Sequence, residues 1–98
     1  MLIRAIGPTL SSFGVTGTLS NPQLTLTTSS GSTVASNTGW GGTPALTAAF
    51  TQVGAFPLSA TSNDSAMLVT LGPGSYTAVV SGANGASGVA LVEIYEVP

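Results

Sequence analysis

Glycine, proline and small polar residues interrupt this sequence so regularly that no long helix or strand can form across most of it. Turn-forming clusters recur roughly every eight to twelve residues, and the apolar runs between them are short. Short strands at this spacing are typical of antiparallel β-sandwiches. We therefore predict an all-β fold, a jelly-roll-like antiparallel sandwich, in which the 98 residues form a single module spanning 1–98.

Apolar runs and period-2 alternation mark the strands of this predicted fold. The pattern predicts strands at 2–6, 24–27, 33–35, 66–71, 75–81 and 89–97. Glycine-containing turns at 72–74 and 82–88 separate the last three strands, which we expect to form an antiparallel meander. Residues 9–21 are predicted to be a loop whose apolar side chains pack onto the core.

One segment has helical rather than strand periodicity. Thr43 can serve as the N-cap, and Pro44 fits the first helical position. Apolar residues then recur at i, i+3, i+4 and i+7 from Leu46, and Gly54 can adopt the left-handed conformation that ends many helices. These features predict one short helix at 44–53, in a crossover connection.

Apolar side chains at alternating strand positions and on the helical face are expected to form a small core. The predicted core residues are Ile3, Ile6, Leu24, Leu26, Leu46, Phe50, Leu68, Val79, Leu91 and Ile94. The aromatic residues expected to fill the remaining volume are Phe13, Phe50, Phe56 and Trp40.

Charged residues make up only 4% of the chain, against about 25% in an average soluble domain. They are Arg4, Asp64, Glu93 and Glu96. With no cysteine and no histidine, the sequence excludes disulfides, Ser-His-Asp triads and zinc sites built on those residues. A single arginine without lysine excludes a basic nucleic-acid surface. We therefore expect no enzymatic activity, no cofactor and no nucleic-acid partner.

The two ends of the chain carry charges that can meet. On the first strand Arg4 shares a face with apolar neighbours, and on the last strand Glu93 does the same. If these strands are adjacent, Arg4 pairs with Glu93 or with Glu96, because an unpaired buried charge is costly. The alternative is that Arg4 extends its guanidinium into solvent at a sheet edge.

Trp40 lies in a glycine-rich loop and has two interpretations. An exposed indole there could stack on a sugar ring, and Tyr76 and Tyr95 could extend the platform if they face the same way. Alternatively, the indole folds back to cover the small core, which a domain of this size needs.

Residues 63–65, Asn-Asp-Ser, fit a fragment of a calcium loop and also an Asx-type turn. Calcium prefers about six to eight oxygen ligands with several carboxylates, and Asp64 is alone here. We therefore predict an Asx-type turn that opens the following strand, and no metal.

Five stretches resemble, in order, a β-rich module that is repeated in large secreted proteins of Verrucomicrobia-type bacteria. They are LIRAIGPTL (2–10), FGVTGTLSNPQLTL (13–26), ASNTGW (35–40), AAFTQVGAFPL (48–58) and SNDSAMLVTLGPGSYTAVVSGANGASGVALVEIYEV (62–97). The last third is also similar to the end of bacterial pre-peptidase C-terminal domains, whose G-x-Y-x-x-x-V hairpin closes a β-sandwich. The first resemblance implies a non-catalytic accessory module, usually in tandem, at an extracellular or cell-surface location.

In that family a glycine-rich hairpin of the type GFVIGG precedes the first strand, whereas Met1 stands in its place here. A missing strand leaves a sheet edge unpaired, and unpaired edges add strands from other chains. We expect a structural or adhesive module that self-associates through edge strands into a homo-oligomer or head-to-tail filaments, or that packs on neighbouring modules, without inserting into a membrane. The alternatives are a compact monomer whose edge is covered by residues 9–22, and a carbohydrate-binding module using Trp40.

Overall fold

The computed structural model describes residues 1–97, which form six strands and one α-helix. The elements are β1 (Leu2–Ile6), β2 (Pro22–Thr28), β3 (Thr33–Thr38), α1 (Pro44–Val53), β4 (Ser65–Leu68), β5 (Tyr76–Gly82) and β6 (Leu91–Tyr95). The strands make two antiparallel three-stranded sheets, with the order β4-β1-β6 in the first sheet and β3-β2-β5 in the second. The predicted β-rich, antiparallel architecture with one short helix is confirmed.

The predicted meander of the last three strands is wrong, because these strands belong to different sheets. β4 and β6 both pair with β1, while β5 pairs with β2. All five residues of β1 are buried, so this strand takes the central position and is flanked on both sides. The turn at 72–74 therefore carries the chain from one sheet to the other and does not close a hairpin.

Two of the predicted strands are shorter than their apolar patterns. The pattern at 66–71 yields a strand that ends at Leu68, and the pattern at 89–97 yields one limited to Leu91–Tyr95. Both strands pair with β1, which has only five residues. The length of the shared partner therefore limits how far each ladder extends.

β1 separates two apolar clusters, one on each face of the first sheet. The buried residues between the two sheets are Ile3, Ala5, Leu24, Leu26 and Met67. Those on the side of α1 are Leu2, Ile6, Leu10, Trp40, Ala49, Phe50, Leu58 and Ala66. Full burial of one Leu, Ile or Phe side chain contributes about 1.5–3 kcal/mol to the free energy of unfolding. The central strand of the first sheet, β1, is thus covered on both faces.

The core prediction is right for the central strands and wrong for the outer ones. Ile3, Ile6, Leu24, Leu26 and Phe50 are buried as predicted. Leu68, Val79, Leu91 and Ile94 are between 41% and 58% exposed. The exposed group lies on β4, β5 and β6, each of which has only one neighbouring strand. Phe13 is also exposed, at 62%, and its ring contacts Phe56 edge-on with centroids 5.2 Å apart.

Helix α1 has the predicted bounds and joins β3 of the second sheet to β4 of the first. Pro44 occupies its first turn, whereas the side chain of Thr43 makes no capping hydrogen bond. Gly54 ends the helix in the left-handed conformation, with φ 72°, and the next amide donates to the carbonyl of Phe50 at 2.9 Å. The helix packs Ala49 and Phe50 onto the first sheet.

Candidate functional site

The structure brings Arg4 and Glu93 together on neighbouring strands. They stand directly opposite each other in the β1–β6 ladder, and Arg4 Nε lies 2.9 Å from Glu93 Oε1. The Arg4 side chain is fully buried, while that of Glu93 is 16% exposed. The ion pair therefore links β6 to the central strand β1.

Aromatic rings and a carbonyl complete the surroundings of the Arg4 guanidinium. Its Cζ atom lies 4.7 Å from the centroid of Phe50 and 4.5 Å from that of Phe56. Nη1 donates to the carbonyl of Phe56 at 2.7 Å. Nη2 is buried and has no hydrogen-bond partner among residues 1–97. Because the rings and the carboxylate enclose the cation, Arg4 does not extend into solvent, and it joins β6 to the segment after α1.

Tyr95 completes this ion pair from two positions further along β6. Its hydroxyl donates to Glu93 Oε2 at 2.8 Å, so the two carboxylate oxygens have different partners. Burial raises the pKa of the Tyr95 phenol, and the hydrogen bond and negative charge of Glu93 raise it further, while Arg4 acts in the opposite direction. Tyr95 is thus a structural partner of the carboxylate.

Asp64 is fully buried and binds the start of a 3₁₀ helix that spans Pro8–Phe13. Its Oδ1 accepts hydrogen bonds from the amides of Gly7 and Thr9, at 2.8 and 3.3 Å, and Oδ2 accepts one from the Thr9 hydroxyl. These contacts replace the predicted Asx-type turn, because amides at a helix start lack internal partners and a carboxylate is a strong acceptor. Residues 1–97 hold no group of three or more His, Cys, Asp or Glu side chains arranged to bind a metal.

Trp40 is buried, with 4% of its surface exposed, and it belongs to the cluster beneath α1. Its Nε1 donates to the carbonyl of Ser59 and to the hydroxyl of Ser62, both at 3.1 Å. The exposed indole of the carbohydrate interpretation is therefore not present in this conformation. Tyr76 does not extend a platform with it, because Tyr76 packs against the other cluster, between the sheets, and its hydroxyl donates to Gly72.

The outer strands of the two sheets are connected to each other on one side of the molecule but not on the other. On one side β3 and β4 are joined by hydrogen bonds: the amide of Ala66 donates to Asn37 Oδ1 at 3.0 Å, and the amide of Gly39 donates to Ser65 Oγ at 3.1 Å. On the other side lie β5 and β6, and no backbone ladder joins these two strands within residues 1–97. We call this side, formed by β5, β6 and the cleft between them, the open edge.

Alternate residues of β1 form backbone hydrogen bonds to the strands on its two sides, and this alternation shows which backbone groups of β6 are free. Met1 and Val69 exchange both backbone hydrogen bonds, at 2.8 and 2.9 Å. Such doubly bonded pairs recur at every second residue of an antiparallel ladder, so β1 bonds β4 through odd-numbered residues and β6 through even-numbered ones. The β6 residues opposite the even-numbered ones are Leu91, Glu93 and Tyr95. The backbone groups of Val92 and Ile94 therefore point away from the sheet.

The same reasoning applies to β5. The amide of Ser29 donates to the carbonyl of Ser75, and the amide of Ala83 donates to that of Asn21. Both bonds involve odd-numbered residues at the ends of β5, so this strand bonds β2 through its odd-numbered residues. The backbone groups of the even-numbered residues Tyr76, Ala78 and Val80 consequently point outward, at the open edge.

The side chains of these outward-bonding residues face the gap between the sheets. Val92 and Ile94 stand opposite Ala5 and Ile3, and both remain exposed, at 42% and 58%. Two hollows of about 340 and 460 Å³ follow one another along the gap, the first bounded by Ile94 and Ala78 and the second by Val92 and Val80. The side chains that line the two hollows are all uncharged, and the α-ammonium of Met1, at the first hollow, donates to the carbonyl of Val69.

The core predicted from the sequence included two residues of β6, Leu91 and Ile94, which are exposed in the structure. The strand LVEIY carries aliphatic side chains on both faces, a pattern that also fits a strand buried by two layers. The lone Glu93 is a sequence signal that places β6 beside β1, because its carboxylate pairs with Arg4. Only the strand order shows that the other side of β6 has no neighbour.

Comparison of the chain with protein-family models, with curated proteins and with solved structures finds no match. Among the helices formed by residues 1–97, none has the length and apolar character required to cross a membrane.

Proposed function

We propose that this chain is a non-catalytic structural or adhesive module, secreted or displayed at the cell surface, that associates with copies of itself through its open edge. One observation carries the proposal. β6 is an outer strand whose unpaired backbone groups lie beside three exposed aliphatic side chains, Leu91, Val92 and Ile94. An edge of this kind readily pairs with another chain.

The usual protections against such pairing are few on this strand. Natural sheet edges are shielded by lysine, proline, bulges or inward-pointing charges. β6 contains no lysine or proline, and its one carboxylate, Glu93, is engaged by Arg4 and Tyr95. We also infer that the two sheets form a jelly-roll-like sandwich, supported by the apolar cluster that they share. The proposed module is of the kind repeated in secreted Verrucomicrobia-type proteins.

Sedimentation velocity over a series of protein concentrations tests the proposal. We expect the wild-type chain to form species larger than the monomer, and Ile94→Lys to shift the population to monomer, because the new ammonium would have to be buried on association. Ala48→Lys, at an exposed position of α1, is the matched control and should associate like the wild type. Negative-stain microscopy of the same samples shows whether association continues into filaments.

Two results would contradict self-association through this edge. One is a wild-type chain that remains a single monomeric species at every concentration. The other is equal loss of association in Ile94→Lys and Ala48→Lys, which would indicate a charge effect independent of position. Thermal melting of both variants establishes that each is folded, since both substitutions replace exposed side chains.

Carbohydrate binding through Trp40 is the alternative function, and it requires the loop around the indole to open. The two hydrogen bonds of Nε1 and the contact with Phe50, at 5.1 Å between ring centroids, oppose that opening. A glycan-array signal that disappears in Trp40→Phe would favour this alternative over self-association.

A further inference from the structure

The open edge contains two unpaired strands rather than one. β6 ends the first sheet and β5 ends the second, and they lie on the same side of the molecule with the cleft between them. In both strands the residues with free backbone groups are also those whose side chains face the gap, as in Ala78 on β5 and Ile94 on β6. A partner that pairs with one strand therefore meets the other as well.

We infer that the partner at this edge is a second copy of the chain, placed open edge to open edge around a two-fold axis. A two-fold axis perpendicular to a sheet places an identical edge strand beside its copy in antiparallel orientation. Where two sheets are stacked, the same axis can act on both. β6 then pairs with β6 of the second copy, β5 pairs with β5, and both sheets continue across the interface.

Charge is what favours a second copy over an unrelated partner. The side chains that line the cleft are all uncharged, and burying an unpaired charge against them is costly. An average protein surface carries many charged groups, whereas this chain has four charged residues, of which Arg4, Asp64 and Glu93 are already paired or hydrogen-bonded inside the fold. A second copy therefore brings side chains that are equally uncharged along the cleft, with Glu96 exposed just beyond the end of β6.

The charge of Glu93 also restricts the register of the paired β6 strands. If the axis passed beside Glu93, the two Glu93 residues would stand directly opposite each other, and like charges in that position are destabilising. An axis beside Val92 or Ile94 avoids this arrangement and places two outward-bonding residues in a doubly hydrogen-bonded pair. Ala78 on β5 bounds the same hollow as Ile94, so one axis at that level can act on both strands.

Closure is the physical consequence of this arrangement. Because each copy uses its whole open edge in one isologous contact, the contact leaves no free copy of itself for a third chain. The inference rests on the proposed self-association and replaces the head-to-tail filament expected from the sequence with a closed dimer at this edge. The aliphatic side chains of Val92 and Ile94 become buried between the two copies.

Single cysteines test the symmetry, since the chain contains no cysteine of its own. Ile94→Cys on β6 and Ala78→Cys on β5 are prepared separately and treated with a short bismaleimide, with Ala48→Cys on α1 as the control. We expect each of the two edge variants to give a covalent dimer and nothing larger, and the control to remain monomeric.

Head-to-tail pairing of β5 with β6 gives a different result. Neither single variant is then linked, while the double variant Ala78→Cys/Ile94→Cys gives a ladder of higher multimers. That outcome overturns the two-fold arrangement but leaves the proposed self-association standing. Equal linking of Ala48→Cys also overturns the two-fold arrangement, and a chain that is monomeric by sedimentation overturns both proposals.

Amide exchange followed by NMR provides an independent readout on the wild-type chain. As the concentration rises through the association range, the amides of Val92 and Ile94 should exchange more slowly, by about tenfold or more, because they become hydrogen-bonded between copies. The amide of Glu93, already bonded to β1, serves as the internal reference. Exchange at Val92 and Ile94 that does not change while the chain associates would place the contact elsewhere and overturn the inference.

Discussion

Arg4 and Asp64 are two of the few charged residues of this protein, and both are fully buried. Each of them connects a different pair of segments. Arg4 joins β1 to β6 and to the segment that follows α1. Asp64, which directly precedes β4, joins that strand to the 3₁₀ helix that follows β1. In a chain with so little charge, each ion is thus used to tie together segments that are distant in sequence.

Arg4→Met should destabilise the protein by about 2–4 kcal/mol, because the Phe56 carbonyl loses its donor and Glu93 loses its cation. The loss is moderated because Glu93 is partly exposed and can be hydrated. Urea unfolding measures the change. An unchanged free energy of unfolding would mean that apolar packing of the methionine replaces the Arg4–Glu93 pair without loss of stability. Glu93→Gln leaves the fully buried Arg4 without a counter-charge, so it should destabilise the protein at least as much as Arg4→Met.

Tyr95 should make stability fall at alkaline pH. Its pKa in the folded protein is raised above the ordinary value of 10.0. As pH rises above that value, the unfolded chain therefore loses the phenolic proton before the folded one does. The stabilisation that the protonated Tyr95 phenol contributes is complete below its pKa in the unfolded chain. It is lost as the pH rises through its pKa in the folded protein. Between about pH 9 and about pH 11 the free energy of unfolding, measured with urea, should fall less steeply with pH for Tyr95→Phe than for the wild type. Identical pH slopes for the two proteins would contradict the assignment.

At the scale of elements, the sequence predicted where strands and the helix occur but not which strands are neighbours. Local signals were sufficient for α1, since the proline at its start and the glycine at its end act within one helical turn. They were insufficient for β4, β5 and β6, because turns at 72–74 and 82–88 fit a hairpin and a change of sheet equally well. The exposed positions of Val79 and Ile94 follow from that neighbour arrangement.

Proline substitutions along β6 separate its two hydrogen-bonding sides. Val92→Pro removes an outward amide, so it should weaken self-association while the monomer remains folded. Leu91→Pro removes an amide that bonds β1, so it should lower the free energy of unfolding by about 1–3 kcal/mol. Sedimentation and urea unfolding of both variants measure the two effects. Equal destabilisation of the monomer by both substitutions would contradict the alternation derived for this strand.

At the scale of the whole molecule, the scarcity of charge determines how association should respond to salt. The side chains along the walls of the cleft are uncharged, so screening by salt has little to act on. Between about 0.05 M and about 1 M sodium chloride the dissociation constant of the assembly should not increase, and sodium sulfate should lower it. Sedimentation equilibrium at both limits measures this. An assembly that dissociates at high salt would indicate an ionic interface instead.

The sequence by itself determined the local elements of this protein, the central burial of Ile3 and Leu24, and the need of Arg4 for a carboxylate partner on the last strand. These features depend on periodicity, turn residues and the cost of desolvation, which act over a few residues. Only the tertiary structure decided that Asp64 binds the start of the 3₁₀ helix, that Trp40 lies inside and that β5 and β6 are left without neighbours. Those outcomes depend on contacts between segments far apart in the chain, for which a single sequence provides no distance information.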